Sequence, residues 1–410
     1  MIVIRIIMGD SARGFTKPTL FGDIEMQKRQ FLHSALVAGF ALSSVTASAQ
    51  SIDNRAVLQH YGAQVYATYQ DTHHSAIELQ TAIKALLVAP SPESLANARK
   101  TWVAAREWYS QTEAFRFYAG PIDDDKGVQG RINAWPLDES YLDYVVGKPN
   151  AGVINDRRVA ITAASIIKLN ERGGEENIST GWHAIEFLLW GQDLSATGPG
   201  DRSFEDYVVG KVPNADRRRT YLTLVTDVLM ADLNYLVKAW QASTKNYRAT
   251  FEQGDIESVR KMIVGLGSLS RGELAGERLE VAMNTQDQED EQSCFSDNTH
   301  RDVVGGALGI QNVWLGSYKR LDGSMLQGAS LKMLVAAKNP ALSDKVSLQI
   351  AQSVTNASAI QAPFDREIIG NKDAPGRLRV QKTIDSLVQQ SKDLTEAAAA
   401  LGITKLAQAK

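Results

Sequence analysis

His183 and Glu186 stand three residues apart in Thr180-Gly-Trp-His-Ala-Ile-Glu-Phe-Leu-Leu-Trp-Gly191, an apolar run that reads as a helix. That spacing puts both side chains on one helical face, where an imidazole and a carboxylate converge on one point. Three arrangements fit such a pair: two ligands of a metal ion, an acid/base couple, or a core histidine satisfied by its neighbour. Ala184, Ile185, Phe187, Leu188, Leu189 and Trp190 surround His183, so a buried imidazole there needs a partner. His60, His73 and His74 differ: they lie on the first long helix and read as solvated or capping residues.

Known metal spacings narrow the first arrangement. His-Glu-x-x-His is absent, and the inverted His-x-x-Glu-His fails because Phe187 stands where the second histidine belongs. The pair therefore supplies two ligands at most, whereas a catalytic zinc usually takes three. Glu113, Asp138, Asp297 and His300 are the candidates for a donor from elsewhere. One histidine among carboxylates suits iron at least as well as zinc, and Glu/His pairs at this spacing build iron sites in helical bundles. Nucleophile chemistry has little support, since Gly-x-Ser-x-Gly, phosphate-loop and dinucleotide patterns are all missing. Cys294 is the only cysteine, which excludes an internal disulfide. It follows the acidic run Asp287–Glu291, which disfavours a thiolate, so it reads as an inert packed residue. The acidic run itself reads as a solvated loop, or as a rim that attracts cations.

The elements that must position these residues are helical. Arg55 to Val88 has apolar residues at helical spacing, and Ser91-Pro92 offers an N-cap and a first-turn proline for the next helix, to about Tyr118. A short helix is expected over Asp138–Val146, then Arg157–Leu169, then the run ending at Gly191 as a C-cap. Ala215 to about Tyr247 reads as one helix, followed by Glu257–Met283, Gly328–Lys338, Ser343–Ile360 and Asp373–Leu401. Strict alternation is missing, so no sheet is expected. The class is all-α, two bundle-like helical halves at about 50–250 and 251–405. Asp138-Glu-Ser-Tyr-Leu-Asp-Tyr-Val145 overlays Asp297-Asn-Thr-His-Arg-Asp-Val-Val304, which matches Asp138 with Asp297 and Asp143 with Asp302. Glu113 and Glu273 lie at similar distances upstream, so a degenerate duplication would bring both acidic turns to one interface.

The net charge of −3 and the lack of a long basic run argue against nucleic acid as a partner. Lys28-Arg29, the apolar stretch Phe31–Leu42 and Ala47-Ser-Ala49 form a signal peptide over 26–49, with Lys28-Arg29-Gln30-Phe31-Leu32 similar to a twin-arginine signal. Residues 1–25 then read as an extension from a start codon assigned too early. No later segment is apolar for the roughly 20 residues a transmembrane helix needs. A mature chain released into the periplasm is expected.

Three motifs in order resemble the imelysin family. Gly181-Trp-His183-Ala-Ile-Glu186 matches its Gly-x-His-x-x-Glu signature, and Phe187-Leu-Leu-Trp-Gly191 and Ile132-Asn-Ala-Trp-Pro-Leu-Asp138 are similar to its flanking motifs. The segment Ser293–Gly316 resembles the iron-regulated protein A branch. The likeness covers roughly 55–405 and implies an all-α fold of two halves with a site near their interface, in a periplasmic or surface-exposed protein tied to iron uptake. It carries over His183 and Glu186 as signature residues. It adds Glu113, Trp135, Asp138, Arg271, Glu273, Asp297, His300 and Asp302 as pocket candidates. The expectation is a periplasmic metal-binding protein of iron acquisition. His183 and Glu186 would be ligands of a divalent or trivalent ion, iron before zinc, with carboxylates from both halves completing the site. Its partners would be a metal ion or metal complex and a membrane-bound iron transporter. Two alternatives stand beside it: a zinc metallopeptidase of the M75 type using Glu186 as ligand or general base, and a metal-free binding module in which the pair fixes the packing of the halves.

Overall fold

The computed structural model describes residues 52–406; the expected extension and signal peptide lie outside them. The principal helices are α1 (Asn54–Val88), α2 (Pro92–Tyr109), α3 (Gly181–Trp190), α4 (Ala215–Trp240), α5 (Asp255–Ser268), α6 (Thr299–Leu315), α7 (Pro340–Ala359) and α8 (Pro375–Ala400). Among the described residues no helix is long and apolar enough to cross a membrane. The expected all-α class holds. Helix α1 packs along α2 and α4, and α3 lies against both α2 and α4. In the second group α8 packs along α5 and α7, and α6 packs along α7. A 3₁₀ segment, Ser110–Phe115, leads from α2 onto α6, and buried residues of both groups form one continuous core.

Local chemistry explains the element ends. Ser91 accepts from the Ser94 amide and Ser94 returns a bond from the Ser91 amide, a reciprocal cap with Pro92 at the first helical position. The expected helix from Arg157 begins only at Ala163, because Arg217 binds the carbonyls of Val153, Ile154, Asp156 and Val159 and holds that stretch irregular. The helix expected to run from Ala215 to Tyr247 stops at Trp240. The chain turns and restarts at Tyr247, which sets Tyr247 and Phe251 against the Trp240 ring at 5.2 and 5.3 Å. Apolar spacing survives that turn, so the pattern hides it. Two three-residue strands, Ser317–Lys319 and Met325–Gln327, form an antiparallel hairpin where no sheet is expected; they are too short to register as alternation.

Two departures bear on the site. The Ser293–Gly316 segment carries α6, a helix the apolar pattern does not announce. A Cβ on Gly309 would lie 2.4 Å from the Gln111 carbonyl oxygen, so glycine lets α6 press against the 3₁₀ segment. The second is the continuation of α5 as a π-helix over Leu269–Glu280, before an α-helical end at Val281–Thr285.

Candidate functional site

All ten residues of α3 are buried. A helix end away from water needs other partners for its last carbonyls, and here each has one. Phe187 accepts from the Gly191 amide at 2.7 Å, Leu188 from the Tyr207 hydroxyl, Leu189 from Arg99 Nε at 2.9 Å, and Trp190 from the Arg202 amide at 2.7 Å. The other end is fixed through Asn170, whose Oδ1 accepts from the amides of Ser179 and Thr180. Gly181 has φ +85°, and a Cβ there would sit 2.4 Å from the Ile132 carbonyl oxygen. The glycine of the signature is thus required twice, by conformation and by approach.

On this helix His183 Nδ1 and Glu186 Oε2 are 2.7 Å apart. Glu186 Oε1 accepts from the Ser296 amide at 3.0 Å and from its hydroxyl at 2.6 Å. Both carboxylate oxygens are therefore engaged, one by each neighbour. His183 Nε2 is buried and has no hydrogen-bond partner. Burial pushes the imidazole down to about 3, with the Arg106 charge acting in the same direction, and pushes the Glu186 carboxyl up to about 8 against the pull of Ser296. The spacing argument holds in that the side chains meet, but they meet each other rather than a common third point.

Around the pair runs a buried polar network. Asp302 accepts from Arg106 Nε at 3.1 Å and Ser110 Oγ at 2.7 Å, and also from Ser293 Oγ. Arg106 Nη1 reaches Asn133 Oδ1 at 2.6 Å, and Asn133 Nδ2 reaches Glu113 Oε1 at 3.0 Å. Arg278 closes the chain by bonding both Glu113 and Glu273, the latter at 2.7 Å. Arg106 is also packed over the rings of Trp102, Tyr109 and Trp182. Of the pocket candidates, Glu113, Glu273 and Asp302 belong to this network. Asp138 does not: it is exposed and caps the short helix Glu139–Leu142 through Ser140. Arg271 is exposed and pairs with Glu280 at 3.2 Å, and Trp135 is half-buried. His300 Nδ1 lies 3.1 Å from the Asp297 carbonyl oxygen, directed at backbone. Of the overlaid acidic residues, Asp143 and Asp302 are both buried against arginine, while Asp138 is exposed and Asp297 buried.

Asp297 lies elsewhere, one residue past Ser296 with φ +56°, grouped with Asp193 and Asp365. Among the described residues these three form the one group of at least three His, Cys, Asp or Glu side chains whose ligand atoms lie within 4.8 Å of one another. Asp193 also lines a cleft of about 400 Å³ with Trp190, Gln192 and Arg202. Spacing arguments pass over Arg106, Arg278, Ser296, Asp193 and Asp365. Only Ser296, inside the Ser293–Gly316 motif, carries a sequence signal. The acidic run expected to be solvated ends in a buried residue, Glu291, 1% exposed. Cys294 is buried, and burial pushes its thiol up, as an inert packed cysteine requires.

Fold and site together define an all-α protein with a buried His–Glu pair on a helix beside a buried network of arginines and carboxylates. The chain belongs to the imelysin family: the family model, peptidase M75 (imelysin), matches residues 65–394. It is similar to iron-regulated protein A of Synechococcus elongatus, 25% identical over 359 residues that cover 85% of this chain and 87% of that protein. A crystal structure described as an iron-regulated protein A precursor from Parabacteroides distasonis superimposes with a TM-score of 0.65 at 16% identity, covering 86% of this chain and 97% of that one. An imelysin-like protein from Psychrobacter arcticum gives a TM-score of 0.60 at 14% identity, covering 85% and 96%. The two structures share the fold with this chain.

Proposed function

We propose that this iron-related imelysin-like protein binds a metal ion, iron before zinc, as an exported component of iron acquisition. The observation that carries the reading is the His183 imidazole. One nitrogen is held by Glu186 and the other is buried without a partner. An orphaned buried nitrogen costs about 1–3 kcal/mol, and a ligand at Nε2 removes that cost. With Glu186 ionised, the Nδ1 proton is directed at its carboxylate and Nε2 presents its lone pair. A carboxylate behind a ligating histidine fixes its tautomer and raises its basicity. Glu186 then acts as the orienting acceptor and His183 as the donor. Asp302 and Glu113 are the carboxylates electrostatically coupled to His183, and Arg106 and Arg278 hold them. The apolar segment with a small-residue cleavage motif at 26–49 supports export. The relative's name, iron-regulated protein A, supports a role tied to iron, for which a membrane-bound transporter is the proposed partner.

Metal content tests the reading. Wild-type protein reconstituted with ferrous or ferric iron and then desalted should retain stoichiometric iron by mass spectrometry. His183→Ala should retain at least tenfold less while keeping its helical circular dichroism. Equal iron in both proteins, or none in the wild type, would overturn it.

A further inference from the structure

A second group of carboxylates lies beyond Ser296, and the His183 reading does not use it. Asp193 follows the C-cap of α3, Asp297 stands in the left-handed region before α6, and Asp365 opens the short helix Asp365–Ile368. Three stretches far apart in the chain thus deliver one carboxylate each to the same point. Their exposures are 2%, 7% and 5%. Glu291, outside the triad and 1% exposed, packs its carboxyl against that of Asp365.

Buried carboxylates elsewhere in the protein are matched by arginine: Asp143 by Arg202 and Arg218, Asp302 by Arg106, Glu113 by Arg278. Among the described residues no lysine, arginine or histidine forms an ion pair with Asp193, Glu291, Asp297 or Asp365. Donors are missing as well. Asp193 Oδ2, Asp297 Oδ1 and both oxygens of Asp365 are buried with no amide or cationic donor; the carboxyls instead face one another, Asp193 with Asp297 and Asp365 with Glu291, and only the Thr299 hydroxyl stands beside Glu291. Asp193 Oδ1 alone is accounted for in the group, by the Ser195 amide at 2.9 Å. Unmatched buried charge is among the costliest arrangements a fold can hold. A cation removes the repulsion and satisfies the orphaned oxygens together.

The geometry points to a cation site formed by Asp193, Asp297 and Asp365, with Glu291 at its edge, that takes a hard divalent ion of the calcium type. Its donors are all oxygen, which selects hard ions over zinc or copper. Magnesium keeps several waters and demands an octahedron, whereas calcium accepts carboxylates in irregular numbers and geometry. A group this buried, with four oxygens of the triad free of amide or cationic donors, suits the second. Asp193 lines the 400 Å³ cleft, which gives an ion its way in. The bound ion joins the end of α3, the Ser296–Asp297 turn and the start of the C-terminal region, so it fixes the loop that grips Glu186 without touching His183.

Chelator-treated full-length protein titrated with calcium chloride tests this by thermal unfolding and calorimetry. The wild type should bind calcium and unfold at a higher temperature with calcium than with chelator. Asp365→Asn and Asp193→Asn should lose the calcium-dependent shift. In chelator both should unfold at or above the wild-type temperature, because a repelling carboxylate is gone. His183→Ala should keep the shift, which separates this site from the iron reading. No shift in folded wild-type protein, or an undiminished shift in Asp365→Asn, would overturn the assignment. So would a shift given by ferric iron and not by calcium that Asp365→Asn abolishes.

Discussion

Gly181 carries the most exposed consequence of a single residue. Its φ of +85° is one that L side chains rarely adopt, and an added Cβ would press into the backbone of Arg131 and Ile132. Left-handed backbone costs about 1–2 kcal/mol for a side-chain-bearing residue, and the clash is with carbonyl oxygens that cannot swing away. Gly181→Ala should therefore lower unfolding stability by at least ~2 kcal/mol in urea titration. A loss below about 0.5 kcal/mol would show that α3 can move away from the Arg131–Ile132 backbone at little cost. The site residues were legible to different depths. Three-residue spacing reveals that His183 and Glu186 face each other, because helical period alone decides it. It cannot reveal that Glu186 is shared with Ser296, 110 positions on, or that both its oxygens are thereby used. Long-range hydrogen bonds leave no period in a sequence.

At the scale of elements, the π-helix Leu269–Glu280 decides which charges meet. Bonding of the i→i+5 kind brings residues five apart to one side, so Glu273 and Arg278 bond at 2.7 Å and both turn toward Glu113. The resemblance offers Arg271 beside Glu273 as pocket residues, and Arg271 proves exposed while Arg278, five positions past Glu273, makes the contact. The misreading has a physical cause: no residue type marks a wide turn. Arg278 is 1% exposed and bonded to two carboxylates. Arg278→Ala strands a buried carboxylate and should cost about 3–5 kcal/mol. Arg278→Lys should recover only part, since a single ammonium does not reproduce the fork. Equal stability of Arg278→Ala and wild type in denaturant titration would remove the network from the account of the fold.

For the whole molecule, paired buried carboxylates set the acid limit. The Arg278 and Arg116 guanidiniums hold the Glu273 carboxyl down to about 2, and Arg202 and Arg218 hold Asp143 below the usual carboxylate range. A carboxyl depressed in the folded state stabilises that state above its ordinary value, and the contribution is lost as pH falls toward the folded value. The melting temperature should therefore drop steadily from about pH 4.5 to pH 2. Glu273→Gln should flatten that slope while starting from a lower value at pH 6. An identical slope in the variant would mean other groups carry the acid sensitivity. The all-α class was legible because apolar spacing at 3.6 residues persists through the long helices. The glycine-rich α6, the break after Trp240 and the hairpin were not, since close packing, aromatic fold-back and short pairing all act below the reach of periodicity.

The end of α3 closes on partners that come later in the chain. Arg202 and Tyr207 hold its last carbonyls, and Ser296 holds Glu186. Ten residues are too few for a helix to persist alone in water. A chain being made from its N-terminus thus presents Gly181–Trp190 with Arg99 and Asn170 already in place, while Glu186 Oε1 stays without its partner until residue 296 has joined. The carboxylate that orients His183 is therefore fully held only after more than a hundred further residues have been added, so the last step in building this helix belongs to the second half of the chain.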